Sequence, residues 1–394
     1  MIKAALIGVS SYGRVHLRMI DYMVSKHKLE LVAATVINQE EEEDQCAKLR
    51  AQGCELFRDY KEMLRVWRGR LDLCMIPTPI FLHEEMTLAA LEAKANVLIE
   101  KPLAPSTEAC ARIMERAAEV DRFVAVGFQK MYSAATRKIK RDLLAGVLGE
   151  IREIRGITLW PRGVSYFSRN SWAGKVRLGN SLVLDSPVSN ATAHFLHLML
   201  FWAGDALNSV ASIVDHFEAE TYRANDIENF DTASLRGLTG TGIPVSFIAS
   251  HASRETVDPM VRIIGTKGEI EWIKDEGAYY RVEGEPERRI DLSSEEEEVR
   301  IMIEEIGHQL SGGVSWLCGP EQAIPQVEVV ESLHRGCETI GIPDEYLEEF
   351  AKDGDTFRAI RGLESIAINA FERGVLLSEA GAPWKTASQV PSSK

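Results

Sequence analysis

The chain has no stretch of apolar residues near the roughly 20 that a membrane-crossing helix needs. Its N-terminus sets one lysine before a strand pattern, without the apolar core and cleavage site of a signal peptide. A cytoplasmic protein with no membrane partner is the expectation. No basic patch is found and the net charge is −14, the wrong sign for a surface that must neutralise phosphates, so nucleic acid is excluded as a partner. The six cysteines, Cys46, Cys54, Cys74, Cys110, Cys318 and Cys337, include no CxxC pair. Several lie in apolar-periodic segments, which predicts reduced, mostly buried thiols. Neither an internal repeat nor a low-complexity linker interrupts the sequence.

What is present suffices for two cores. A length of 394 residues exceeds one ordinary core, and 45% apolar with 26% charged residues is the balance of a folded globular protein. Up to Gly127 strand and helix signals alternate. Strands are expected over 3–8, 29–37, 71–76, 96–100 and 123–127, and helices over 13–25, 40–51, 59–67, 83–93 and 106–120. That order predicts a doubly wound parallel sheet covered by helices, a dinucleotide-binding Rossmann domain over residues 1–127. The rhythm then changes, giving a second α/β domain over residues 128–394. It reads as a helix over 133–144, a strand over 151–159, a loop over 160–180 and a helix over 189–202. Strands near 209–216, 232–238, 245–251, 261–264, 269–273 and 279–282 predict an antiparallel or mixed sheet. Helices over 297–310, 321–340 and 356–373 follow, with the last dozen residues loose. The cleft between two such domains is the expected site.

Gly8-x-Ser10-x-x-Gly13 stands between the first strand and the first helix, where a dinucleotide's pyrophosphate needs a tight turn and a helix N-terminus. Ser10 replaces the usual second glycine, and Tyr12 falls within the loop. The second strand should close on an acid for the adenosine ribose, but the sequence there is Thr35-Val36-Ile37-Asn38. Asn38 is therefore the expected ribose contact. Glu40 to Glu43 read as a solvated first helical turn that would also repel a 2′-phosphate, which favours NAD over NADP. Arg14 is the counterweight.

Further segments make a resemblance specific. Gly13-x-x-His16, Ile76-Pro77-Thr78-Pro79 with His83, and Glu100-Lys101-Pro102 all resemble the glucose–fructose oxidoreductase/inositol dehydrogenase/MocA (Gfo/Idh/MocA) family. So do Gly127-Phe128-Gln129, Leu148-Gly149-Glu150-Ile151 and Gly265-Thr266-Lys267-Gly268, in order. The resemblance implies an open, largely antiparallel sheet in the second domain, which often mediates homodimers or homotetramers. It implies cofactor contacts at Gly8, Ser10, Tyr12, Gly13, Asn38, Pro77, Thr78, His83, Glu100, Lys101 and Gln129. Lys101, at the end of a Rossmann strand, is implied to polarise a substrate hydroxyl. The competing reading is a surface lysine paired with Glu100.

The second constellation runs from Asp185 through Asn190 and His194 to His197. The family commonly has an Asp four residues before a proton-accepting His. Counting back from Trp202 and Gly204 assigns His194 as the acceptor, with Asn190 where the acid belongs. Asn190 can orient substrate or imidazole but cannot supply negative charge; His197 is expected to bind substrate or serve as partner. Plain burial of both histidines is the competing reading. A metal held by His194 and His197 would need a third ligand such as Asp185 or His251, and no metal is expected. In the preceding loop, Trp160, Arg162, Tyr166, Arg169, Asn170, Trp172 and Lys175 combine aromatic faces with hydrogen-bonding groups, as a sugar or polyol requires. Of these, Arg162, Tyr166, Trp172 and Lys175 are expected to touch substrate. Packing of the loop by Trp160 and Trp172 is the alternative.

The expected function is hydride transfer between NAD and a secondary alcohol of a sugar, inositol or sugar derivative. Two rivals stand beside it. One is an NAD-using glycosidase that oxidises transiently and eliminates; the other is a non-catalytic sugar- or dinucleotide-binding regulator.

Overall fold

The computed structural model describes residues 1–384, so of the final dozen only Pro383 and Trp384 are included. Two compact units divide the chain: Met1–Ser133 with Ser294–Ile324, and Ala134–Ser293 with the residues from Pro325 onward.

In the first unit, β1 (Ile2–Ile7), α1 (Gly13–Ser25), β2 (Leu29–Thr35), α2 (Glu43–Ala51), β3 (Glu55–Phe57) and α3 (Tyr60–Val66) form its first half. The second half is β4 (Leu73–Ile76), α4 (His83–Glu92), β5 (Asn96–Ile99), α5 (Thr107–Glu119) and β6 (Val124–Val126). The six strands are parallel in the order β3-β2-β1-β4-β5-β6. The order reverses beside β1, which sets the Gly8 turn at the switch point where such sheets bind ligands. Helices on both faces explain why β4 is buried at every residue. Ser106 caps α5 as its sequence position predicts, accepting from the Ala109 N–H at 3.2 Å. The three-residue β3 carries no pattern that sequence could show. The later helix α9 (Glu295–Leu310) returns to this unit, burying Val299, Met302, Ile303 and Ile306.

The second unit opens with α6 (Ala134–Leu144), β7 (Ile151–Leu159), the short α7 (Val164–Ser168), a small hairpin of β8 (Arg177–Leu178) and β9 (Ser181–Leu182), and α8 (Ala193–Ala203). Then come β10 (Ile213–Arg223), β11 (Thr232–Thr239), β12 (Pro244–Ser250), β13 (Val257–Gly265), β14 (Gly268–Ile273), β15 (Gly277–Val282) and β16 (Arg288–Ile290). The helix α10 (Pro320–Gly336), β17 (Thr339–Gly341), β18 (Leu347–Lys352), β19 (Asp355–Ile360) and α11 (Leu363–Arg373) complete it. Nine strands form one sheet in the order β16-β15-β14-β13-β7-β12-β11-β10-β17. It is largely antiparallel, with parallel pairs only at β7–β12 and β10–β17. The expected architecture is thus observed in both units.

Several expected elements differ; the helix expected over 321–340, for one, ends at Gly336, and Thr339–Gly341 pair with β10 as a strand. The strand placed near 209–216 is β10, Ile213–Arg223, because Glu218 and Glu220 mask its alternation and Glu220 is nevertheless buried. The helix expected over 356–373 divides into β19 and α11. Pairing of β19 with β18, including stacked Phe350 and Phe357 rings 5.4 Å apart, outweighs the helical spacing of its residues. The helix expected from residue 189 starts at Ala193. Before it, Ser189 donates to the Leu184 carbonyl at 2.6 Å and Thr192 to the Pro187 carbonyl at 2.9 Å, which holds the backbone in turns.

None of the six cysteines forms a disulfide, and five of them are buried. The buried Lys140 on α6 donates to the Phe201 and Gly204 carbonyls at the C-terminus of α8, where a cation is favourable. Burial still pushes its pKa down to about 7. The unfolded chain, with an ordinary lysine near pKa 10.4, holds more protons than the folded one between those values. The contribution of Lys140 to stability therefore rises with pH from about 7 upward. Lys140→Met is expected to flatten the rise of melting temperature between about pH 7 and 9. A variant with the parent's slope would refute the assignment.

Candidate functional site

The first unit carries the expected nucleotide loop. Gly8 holds φ at +94°, and a Cβ on Gly13 would lie 2.5 Å from the Gly8 carbonyl oxygen. The turn and its close approach thus require both glycines. An added Cβ on Gly8 would meet Thr78, and one on Gly13 would meet Pro77, each at 3.8 Å. Helix α1 begins with no side-chain cap and no acid in its first turn. The Gly13 and Val15 N–H groups donate to the Ser10 and Tyr12 carbonyls at 2.8 and 2.9 Å, so what the helix start offers a dinucleotide's pyrophosphate is its dipole and the absence of a competing acid. Tyr12 borders the loop and meets the His16 ring edge-on at 6.0 Å.

Ser10 has a partner that sequence reasoning missed. Its hydroxyl donates to Glu42 at 2.8 Å, and Arg14 lies 3.4 Å from the other carboxylate oxygen. Helix α2 begins at Glu43 rather than at residue 40, so Glu42 turns back to the loop instead of lying on a helical face. Its side chain is only 13% exposed. Asn38 donates to Glu41 at 2.5 Å.

The three other family-like segments of this unit meet in one buried arrangement. His16 Nε2 lies 2.9 Å from Glu100 Oε1, and a Cβ on Gly127 would come within 2.7 Å of that same oxygen. The His83 ring stands between the Pro102 and Thr78 carbonyls, each 2.8 Å from a ring nitrogen. Burial lowers its affinity for a proton, and a neutral ring donates to one carbonyl at a time. Gln129 is buried at the start of the turn Gln129–Tyr132. Lys101 follows β5 and is half-buried; its backbone N–H lies 3.4 Å from Glu100 Oε2, and its peptide bond to Pro102 is cis.

In the second unit, α8 is buried at every residue except His194. His194 is half-buried, whereas His197 is 1% exposed. Asn190 lies in the turn before the helix and donates its amide to Asp185 Oδ1 at 2.8 Å. The other Asp185 oxygen accepts the Gly174 N–H at 2.7 Å and lies 3.7 Å from Arg169. A buried carboxylate is thus hydrogen-bonded to Asn190. Among the described residues no group of three His, Cys, Asp or Glu side chains is placed to hold a metal.

The aromatic loop is partly gathered. The Arg162 and Arg169 guanidinium carbons lie 4.8 and 3.7 Å from the Tyr166 ring centre, and Arg169 lies 5.3 Å from Trp172. His251 meets Tyr166 edge-on at 5.5 Å. Trp160 packs on Phe195 of α8 at 5.5 Å, which ties the loop to the residue beside His194. Lys175 is exposed.

Comparison with known proteins follows the same division. Residues 2–128 match the oxidoreductase family with an NAD-binding Rossmann fold, and residues 136–271 match the GFO/IDH/MocA C-terminal domain. The inositol 2-dehydrogenase/D-chiro-inositol 3-dehydrogenase of Halalkalibacterium halodurans is 25% identical over 213 residues, 53% of this chain and 55% of that protein. The chain thus spans about half the length of the inositol dehydrogenases that it matches. The dTDP-3,4-didehydro-2,6-dideoxy-alpha-D-glucose 3-reductase of Streptomyces violaceoruber is 25% identical over 68% of this chain and 72% of its own. The WlbA dehydrogenase of Bordetella pertussis, solved with NADH and UDP-GlcNAcA, shares the fold with a TM-score of 0.68. It is 20% identical over 85% of this chain and 95% of that one. With two of its segments matched in order to the family's two domains, the chain belongs to the GFO/IDH/MocA oxidoreductase family, and its first unit is an NAD-binding Rossmann domain.

Proposed function

We propose that the protein is an NAD-dependent dehydrogenase acting on a secondary alcohol of a sugar, an inositol or a sugar derivative. Bound NAD supplies the hydride acceptor. Lys101 hydrogen-bonds the reacting hydroxyl and stabilises the charge that develops on its oxygen. His194 takes the proton, Asn190 orients it, and Asp185 favours the imidazolium through Asn190. The observation that carries this reading is the 2.8 Å bond from Asn190 to the buried Asp185 carboxylate, beside a helix that exposes only His194. Arg162, Tyr166, Trp172, Lys175 and His197 are assigned to substrate. Gly8, Ser10, Tyr12, Gly13, Asn38, Pro77 and Thr78 are assigned to the cofactor, with His83, Glu100 and Gln129 supporting them from within. The reading includes a homodimer or homotetramer and a cytoplasmic setting; the first is checked by light scattering.

The test is a panel of sugars and polyols with NAD and with NADP, followed by absorbance of the reduced cofactor. Reduction with at least one panel member is expected. Flat traces with NAD shown to bind, or release of an aglycone without reduced cofactor, would count against the reading.

Glu42 sets the cofactor choice within this reading. A carboxylate bonded to Ser10 can accept from ribose hydroxyls and repels a 2′-phosphate. Glu42→Gln is expected to narrow the ratio of NADP to NAD dissociation constants about tenfold, the order of one partly screened charge. Calorimetric titration of both cofactors measures it, and an unchanged ratio would remove Glu42 from this role.

A further inference from the structure

The segment 160–184 holds four cationic residues, Arg162, Arg169, Lys175 and Arg177, and no acid, in a chain with 59 acids and a net charge of −14. The first carboxylate after it is Asp185. Elsewhere in the same unit several arginines are each held by two carboxylates. Arg236 holds Glu218 and Glu379, and Arg262 holds Glu271 and Glu372. Among the described residues, Arg169 alone in this segment has a carboxylate within ion-pair distance, and that one, Asp185, also serves Gly174 and Asn190.

Arg162 differs from Lys175 and Arg177, which are exposed, in being half-buried. Among the described residues no carboxylate stands within ion-pair reach of it. Its guanidinium carbon lies 4.8 and 5.8 Å from the Tyr166 and Trp160 ring centres, its backbone N–H donates to the His251 carbonyl at 3.0 Å, and its Nε is shut off from water without a hydrogen-bond partner. A cation that is partly desolvated and uncompensated is costly unless an anion completes it. His251, 2% exposed with Nδ1 2.8 Å from the Trp160 carbonyl, is kept neutral, its pKa pushed down to about 3 by burial first and by Arg162 next. The nearby acids are already engaged: Asp258 accepts from the Trp160 indole at 3.1 Å, and Asp355 accepts from Ser165.

We infer that Arg162, aided by Arg169, binds an oxyanion carried by the substrate, so that the sugar is acidic, bearing a carboxylate or a phosphate. The planar fork of a guanidinium matches either group through two hydrogen bonds. The position is consistent with a substrate contact: Trp160 packs on Phe195 beside His194, and Arg169 reaches Asp185 behind Asn190. The inference rests on the dehydrogenase reading for its claim that the ligand is the substrate.

The test is calorimetric titration of the full chain, with NAD present, by a neutral hexose, the matching hexuronate and the matching hexose 6-phosphate. At least one acidic sugar is expected to bind tenfold or more tightly than the neutral parent, and the tighter of the two identifies the oxyanion. Arg162→Gln is expected to erase that preference, and Arg162→Lys to restore part of it, with melting temperatures close to the parent's showing that both fold. A neutral sugar bound as tightly as both acidic ones, or a preference that survives Arg162→Gln, would overturn the inference. The two readings fail separately. Charge-selective binding that Arg162→Gln abolishes, with no NAD reduced by any panel member, defeats the dehydrogenase alone. Turnover of neutral polyols that Arg162→Gln leaves unchanged defeats the oxyanion site alone.

Discussion

Lys101→Ala is expected to lower kcat/KM by roughly 10²–10⁴-fold, the usual range for a positioned acid–base group, while NAD binds as before. The lysine stands at the C-terminal end of a central strand, where open α/β sheets present their ligands. Its backbone is anchored to the buried Glu100, which His16 holds in turn, so its starting point is fixed by the core of the first unit. An ammonium there favours the alkoxide more than the alcohol, and only such a difference accelerates the reaction. Lys101→Arg keeps the charge but changes its shape and reach, and should recover little. The measurement is steady-state kinetics beside NAD titration and a thermal melt. Activity of the alanine variant within tenfold of the parent, with the parent's melting temperature, would remove Lys101 from the chemistry.

Asp185→Asn should produce the second large effect, a loss of roughly 10–10²-fold in kcat, within the range that general-base arrangements contribute. Asp185 does not touch the substrate in this reading; it is a positioning residue acting through Asn190. Removing its charge makes the His194 imidazolium less favourable, so the imidazole gives up its proton at lower pH. The acidic limb of the kcat/KM profile should then move to lower pH, because the active form of a base is the deprotonated one. A residue that only supported the fold would reduce stability and leave that limb in place. An unshifted limb therefore sinks the assignment even if activity falls. The variant also frees Arg169 from its 3.7 Å partner, so a modest fall in melting temperature is expected alongside.

Much of the fold could be read because its signals are local. The turn from Gly8 to Gly13 needs small residues for steric reasons, Ser106 caps a helix through its own side chain, and the strand over 151–159 has the bounds expected of it. Elements fixed by distant partners could not be read. The short β3 exists through its pairing with β2, and β19 through its pairing with β18. The candidate site divides in the same way. Lys101 and His194 stand in recognisable segments, but Glu42 and Asp185 were legible only as residue types. Glu42 matters because Ser10 reaches it across 32 positions, and Asp185 because a turn rather than a helix carries Asn190. Sequence spacing placed Asn190 on a helix face it does not occupy, and so hid the carboxylate behind it.

The middle of the nine-stranded sheet has a consequence for synthesis. Strand β7 lies between β12 and β13, and its Ile154 pairs with Val245 and Ile263. When β7 leaves the ribosome, neither neighbour has been made. At roughly 5–20 residues per second, it waits on the order of 5–20 seconds with both edges open. For that interval an unpaired strand offers hydrogen bonds to any other chain nearby. The centre of the finished sheet is thus, during synthesis, a strand open on both edges.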